Sequence, residues 1–405
     1  MGLAIGCTGA VVRAGEVVVH VIDAPGDHGV NLHDAGWISG ELFLAGKIRD
    51  KGDDGDQEKK TRLFVMAVGD DGRPRWTHRF DAMRNNLDHI HAVVVSAYDH
   101  LSGGKGPPKI GVWFRAGEDT FLRLVLPNGR PSQLIEVGRI EESEGGWVQD
   151  AHTTYLVGGG SFRGGRDAWV AQINRKEEVA WKTPIRFEGL PSGLLGRAHV
   201  VDQKWYHITA ADDVIESPDG TLLVAGAHRV QTNKFGGGAS DRFVARFTSD
   251  GRELARAVLP HRFSEAKPAV AEVDGSVYTV QTTRGFEGIT EQRHEITLAC
   301  FDQNLSPRWE QELTDGSRFS SGEAIILPTG DDAAPLMIAT PVRGAVRLTW
   351  CTADGAVVSQ RDVDVPMRVA RPIRGLLVGT DAVIVATGFE QVAVVRVPLN
   401  LEDGE

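Results

Sequence analysis

Histidine and arginine are the residues of this chain whose types and spacing could do chemistry. Four histidines, His33 in NLHD, His89 and His91 in DHIH, and His207 in WYHI, stand near the starts of apolar segments. An imidazole ligates a metal or moves a proton, and Asp34, Asp88 and Asp212 are near enough in sequence to serve as carboxylate partners. If DHIH is a strand, alternation puts His89 and His91 on one face. No HExxH or comparable ligand spacing accompanies them, so hydrogen-bonded strand histidines are the plainer reading and a metal-assisted hydrolase or lyase is the alternative. Six arginines, Arg49, Arg115, Arg163, Arg229, Arg284 and Arg343, each end an apolar run. A set of guanidinium groups offers bidentate donors to carboxylates and phosphates. Arginine also closes strands, covers apolar surface with its stem and pairs with loop acids, and that reading stays open beside the first.

Other motifs are excluded. Asp50, Asp53, Asp54, Asp56 and Glu58 do not follow the alternating carboxylates of a DxDxDG calcium loop. There is no GxSxG nucleophile elbow and no P-loop, and Gly158-Gly159-Gly160 and Gly236-Gly237-Gly238 read as backbone freedom at a strand end and a loop tip.

The elements that must carry these residues form a repeat. Apolar runs Leu42–Arg49, Ile110–Arg115, Tyr155–Arg163, Leu222–Arg229, Val277–Arg284 and Leu336–Arg343 each precede a second alternating run that stops at Asp, Asn or Gly. LFVMAVGDDG, FLRLVLPNG, AWVAQINRK, FVARFTSDG, ITLACFDQNL and VRLTWCTADG are these second runs, and each reads as a strand entering a hairpin turn. Successive terminal arginines lie 66, 48, 66, 55 and 59 residues apart, which suits one four-stranded antiparallel blade per repeat. A seventh copy, Gly375–Gly379, Ala382–Thr387 and Gln391–Leu399, lacks a fourth strand, and Phe389-Glu390 stand where the other copies have arginine. Glu16–Asp23 (EVVVHVID) is a strand without a local partner and supplies the missing one. The expectation is an all-β chain in one domain, a seven-bladed β-propeller whose blades span about 30–82, 88–140, 145–187, 207–262, 267–314, 320–365 and 374–399 with 16–23. Pairing the first strand onto the last blade removes the open sheet edges of a linear array.

Tryptophan follows the turn in Pro74-Arg75-Trp76, Val179-Ala180-Trp181 and Pro307-Arg308-Trp309. At these positions the chain resembles the tryptophan-docking repeats of PQQ-like propellers, a group that includes quinoprotein dehydrogenases and outer-membrane assembly lipoproteins. The turns Ser249-Asp250-Gly251 and Ala353-Asp354-Gly355 look equally like the short bacterial repeats of other propellers. The resemblance implies that tryptophan docks between adjacent blades; it implies a fold rather than an activity. A quinoprotein dehydrogenase fits less well, because no adjacent cysteine pair of the kind seen in much of that family is present.

Composition sets the outer bounds. The chain has 405 residues, 41% hydrophobic and 24% charged, with 48 glycines, which is a folded chain with many turns. A formal net charge of −11 disfavours nonspecific nucleic-acid and anionic-membrane binding, which need a positive surface. Cys7, Cys300 and Cys351 show no CxxC spacing; neither a disulfide framework nor a thiolate metal site is expected, and Cys300 and Cys351 read as small core residues. No apolar run reaches the roughly 18 residues of a membrane span. The default location is cytoplasmic, and the alternative is a periplasmic lipoprotein anchored at Cys7 if LAIGC ends a truncated leader.

On the usual strand order, the loops leaving strand two form the binding face. Here they are Asp50–Arg62, Gly164–Asp167, Val230–Asp241 and Gly285–Glu295. The reading is a noncatalytic scaffold that holds a protein partner with an acidic surface, without a cofactor, through the six arginines. The alternatives are the histidine-centred hydrolase or lyase, placed in the central channel, and carbohydrate or small-ligand binding. Trp37, Trp147, Trp169 and Trp205 do not recur at one repeat position, so the last has little support. Oligomeric state is not encoded in any of these features.

Overall fold

Runs that alternate apolar and polar residues and end at Asp-Gly or Asn-Gly become strands and hairpins, because period two matches the pleat and glycine supplies the positive φ of the turn. The computed structural model describes residues 17–23, 30–38, 40–50, 60–80, 91–98, 109–116, 119–138, 145–150, 153–160, 167–174, 178–187, 206–231, 238–261, 268–287, 291–313, 323–367, 370–388 and 390–399. Among the described residues there are 28 strands and no helix. The chain begins with β1 (Val18–Asp23), β2 (Val30–Ile38), β3 (Glu41–Asp50), β4 (Lys60–Val68), β5 (Pro74–Phe80), β6 (His91–Tyr98), β7 (Lys109–Ala116), β8 (Asp119–Val125) and β9 (Pro131–Gly138). It continues through β10 (Gly145–Asp150), β11 (Thr153–Gly160), β12 (Ala168–Ile173), β13 (Val179–Ile185), β14 (Tyr206–Glu216), β15 (Leu222–Gln231), β16 (Gly238–Phe247) and β17 (Glu253–His261). Then come β18 (Pro268–Val273), β19 (Ser276–Glu287), β20 (Glu291–Phe301), β21 (Pro307–Glu312) and β22 (Ile325–Pro328). The last are β23 (Leu336–Val342), β24 (Ala345–Cys351), β25 (Val357–Asp364), β26 (Arg371–Val378), β27 (Asp381–Thr387) and β28 (Gln391–Pro398).

The chain divides into two compact units, residues 1–139, 329–352 and 357–405 in the first and 140–328 and 353–356 in the second. In the first unit, consecutive strands form antiparallel meanders β2-β3-β4-β5, β6-β7-β8-β9 and β23-β24-β25. A fourth sheet has the order β1-β28-β27-β26. The second unit holds β18-β19-β20-β21 and a larger sheet, β13-β12-β11-β14-β15-β16-β17, with β10 on β11. The four-stranded antiparallel meander is the blade unit of a β-propeller.

The expected terminal pairing is present. β1 lies antiparallel to β28 from Val18 opposite Arg396 to Asp23 opposite Gln391. Gln391 Nε2 also donates to Asp23 Oδ1 at 3.1 Å. Ile22, fully buried, joins Leu44, Phe64, Val385 and Val394 in one apolar core.

Two of the expected loops are strand at both ends, and residues 232–237 and 288–290 between lie outside the described residues. β15 runs to Gln231 and β16 starts at Gly238, inside Val230–Asp241. β19 and β20 remain paired out to Glu287 opposite Glu291, within Gly285–Glu295. Neither segment contains proline, so no ladder donor is lost and pairing continues. Residues 51–59 and 164–166 of the other two loops lie outside the described residues.

The sheets expected over 145–187 and 207–262 are joined, with Gly159 opposite Ala210 and Gly160 opposite Thr209. A Cβ on Gly159 would fall inside van der Waals distance of the Thr209 carbonyl oxygen, so only glycine admits this approach. That is the physical role of the middle glycine of Gly158-Gly159-Gly160.

Tryptophans dock on the following turn as expected. A Cβ on Gly129 would come within 2.7 Å of the Trp76 ring, on Gly251 within 2.5 Å of Trp181, and on Gly355 within 2.7 Å of Trp309. All three glycines have φ between 81° and 89°. Trp76 Nε1 donates to Pro127 O at 2.7 Å and Trp181 Nε1 to Ser249 O at 3.1 Å, so each indole buries its face and satisfies its N–H.

Candidate functional site

Register decides which arginines are equivalent. In four sheets the first pair between strand two and strand three is Leu42 with Val68, Leu222 with Phe247, Val277 with Phe301 and Leu336 with Cys351. Arg49, Arg229, Arg284 and Arg343 each stand seven residues after the first member of that pair. Arg115 stands five residues after Ile110, the corresponding start opposite Val125. It is therefore two residues short of the shared level. Arg163 lies outside the described residues. Arg343 is exposed and occupies, with Gly344, the two-residue turn between β23 and β24, while the other three are on strand. The six do not share one level.

The histidines also differ in level. His33 is the extra residue of a bulge between Leu32 and Asp34, opposite the Gly46 and Ala45 level of β3. His91 stands opposite Arg115, and His207 opposite Val230, four residues from the Gly226 level at which β14 carries its own bulge. His89 and Asp88 lie outside the described residues. Asp34 is buried and paired with Arg374, Nε to Oδ1 3.6 Å, which ties β2 to β26. Asp212 is the bulged residue of β14 and is buried. Among the described residues no group of three or more His, Cys, Asp or Glu is arranged to hold a metal ion.

Sequence reading missed a set of buried polar groups in the second unit. Thr209, His228 and Asp241 form a row across β14, β15 and β16, since His228 is the direct register partner of both. Thr209 Oγ1 and His228 Nδ1 are 2.8 Å apart, and the Phe187 ring stacks on the imidazole at 4.8 Å and 5°. All three are under a tenth exposed, which makes the row a packing network. Arg242, 2% exposed, pairs with Glu310, and desolvation draws its pKa down while Glu310 opposes the shift. Arg246 reaches Glu272 at 3.2 Å and the Thr221 hydroxyl at 2.8 Å. Both link β16 to the next sheet of that unit. A buried arginine without such partners is costly, so Glu310 and Glu272 are the reason these positions tolerate charge.

No protein-family model and no curated protein matches the sequence. Solved structures do resemble the fold. A polysaccharide lyase of a new family, the PL25 ulvan lyase, is 9% identical with a TM-score of 0.53, over 94% of this chain and 96% of that one. BBS1N, solved in complex with ARL6DN, is 10% identical with a TM-score of 0.49 over 98% of both chains. The Dos1 propeller is 10% identical with a TM-score of 0.48, over 92% of this chain and 78% of that one. At such identities the likeness concerns fold alone, and the four-stranded antiparallel meanders of the sheet topology are those of a β-propeller.

Proposed function

We propose that the chain is a seven-bladed, PQQ-like propeller, one domain closed by β1 on β28, and that it works as a noncatalytic recognition scaffold. Its partner is a protein with an acidic surface, engaged at the ends of the second strands. The observation that carries this reading is the common register of Arg49, Arg229, Arg284 and Arg343 in four separate sheets. In a chain of net charge −11, arginines repeated at one level of a repeat are a local exception to the overall sign. Arg115 contributes from a lower level, and Arg163 is kept as a sixth member on its sequence position alone. Guanidinium groups suit this role because each offers paired donors to a carboxylate and stays charged at all physiological pH.

The test is copurification from the native source with chemical cross-linking. The reading expects cross-links to lysines or acids flanking β3, β15, β19 and the Arg343 turn. A variant with Arg49, Arg229, Arg284 and Arg343 all changed to Gln should lose the partner at physiological salt while keeping its melting temperature. If that variant retains the partner, the scaffold reading in this form is wrong.

A further inference from the structure

A second cationic site lies in the first unit, in the seam between the sheets β2-β3-β4-β5 and β6-β7-β8-β9. These sheets share one apolar core built from Phe43, Leu63, Val65, Phe80, Val112 and Phe114. On β5, alternation turns Trp76, His78 and Phe80 to one side and the exposed Arg75 and Arg79 to the other. Trp76 is occupied with the Gly129 turn, which leaves His78 and Phe80 as the outer lining of the seam. Their rings stack at 5.6 Å and 20°.

From β8, Arg123 reaches into the same seam, with its guanidinium carbon 5.4 Å from the Phe80 centroid. Arg123 Nε is buried and has no hydrogen-bond partner among the described residues. Among the described residues no carboxylate is placed to neutralise this guanidinium, and its pKa is drawn down by burial alone. His78 is held below its usual value, first by burial and then by the positive field of Arg123. Among the described residues, a half-buried cation on an aromatic floor with an unused, inward N–H and a neutral imidazole beside it has no negative oxygen partner. Elsewhere in the chain buried arginines are supplied with one, as Arg246 is by Glu272.

We propose that the Arg123–His78 seam is a carboxylate-binding site. The ligand's oxygens accept from the Arg123 guanidinium, its charge favours protonation of His78, and its apolar portion lies on Phe80. The chemistry is a carboxylate with a short aliphatic stem, whose source is either an acidic side chain of another protein or a free small carboxylic acid. This inference does not depend on the strand-two arginines, which belong to other strands.

The experiment follows the His78 ring protons by NMR across pH, in buffer, with added sodium acetate, and with an acetylated, amidated tetraglutamate peptide, each against sodium chloride at equal ionic strength. A carboxylate in the seam shifts the His78 midpoint upward in a saturable way, beyond the chloride control. Arg123→Gln should abolish the shift, and Arg123→Lys should retain part of it. Saturation by acetate at the lower carboxylate concentration assigns the site to small acids; saturation by the peptide at the lower concentration assigns it to acidic chains. Shifts no larger than with chloride, or unchanged in Arg123→Gln, overturn the site. Should Arg123→Gln fold poorly, Phe80→Leu is the second variant; it keeps Arg123 and His78 and should weaken saturation several-fold, and full retention of affinity counts against the site. The quadruple Arg→Gln variant of the scaffold test should leave the His78 response intact, so the two readings fail separately.

Discussion

At the scale of single residues, fit between a ring and a glycine governs much of this protein. Trp181 covers Gly251 and donates to Ser249 O, while Thr183 two residues on donates to Gly251 O at 2.6 Å. Trp181→Ala removes both the aromatic burial and the indole hydrogen bond and should cost about 3 kcal/mol in urea unfolding. The strand β1 solves the same problem differently. Val18 stands at the tryptophan register, and His20, at the register of Thr183, lies against Gly72. Burial lowers the His20 pKa, Asp71 opposes this and Arg396 reinforces it. The folded state therefore prefers the neutral ring. The stability it contributes is complete above the ordinary histidine value of about 6.5 and is lost as pH falls from there toward the lower folded value. Unfolding midpoints between pH 8 and pH 5 should drop for the wild type and drop less for His20→Phe. A third residue, Cys351, is fully buried and its thiol is pushed up to about 11 by that burial. Native protein should leave it unlabelled by thiol reagents at pH 8, and denaturation should expose it.

At the scale of elements, the contact between one sheet's outer strand and the next turn conserves volume by exchange. Where the outer strand has Trp76, Trp181 or Trp309, the turn has glycine. Where β17 has Ala255 at that register, the β20–β21 turn has Leu305, and the two pack in one cluster. Leu305 adopts φ 62°, a strained conformation for a leucine, and is 3% exposed. Its buried side chain thus outweighs its backbone strain. Leu305→Gly should relieve about 1 kcal/mol of strain and lose more in packing, for a net loss of about 2 kcal/mol. Ala255→Trp alone should be more disruptive than the same change in a Leu305→Gly background, and a double-mutant cycle by urea unfolding would show the coupling. Additive effects would mean the two sites do not exchange volume.

At the scale of the whole molecule, the register of β1 on β28 puts Val18 beside Arg396, so the described ends of the chain lie at the same end of one sheet. A circular permutant that joins these ends by a short Gly/Ser linker and opens at Asp274-Gly275 should fold. That turn is exposed, with φ 48° and 71°, and its break leaves every β1–β28 pair intact. Comparable cooperativity and a strand-type far-UV spectrum are the expected result. Aggregation of this permutant would show that the chosen turn, or the continuity of the chain through it, is needed for folding.

The strands, their hairpins, the tryptophan docking and the partnership of the terminal strands were legible in the sequence. Each of these is local or nearly so: period two marks a strand, Asp-Gly marks a turn, and an unpaired strand at one terminus answers a missing one at the other. The level of a side chain along its strand was not. Arg115 and the four-residue set share a sequence pattern, yet pairing with β8 places Arg115 two residues short, because hydrogen-bond register rather than the end of an apolar run sets the level. His33 reads as an ordinary strand residue and is a bulge, since the extra residue appears only when β3 is laid beside it. Arg242 and Arg246 in DRFVARF look like the solvent side of an alternating strand. They are buried because both faces of β16 are covered in the second unit, and Glu310 and Glu272, distant in sequence, complete them. Sequence by itself determined the kind of element and the pairing of the terminal strands. Tertiary structure decided which charges are neutralised and which, like Arg123, have no negative partner among the described residues, because desolvation and Coulomb attraction depend on neighbours that the chain brings together only on folding.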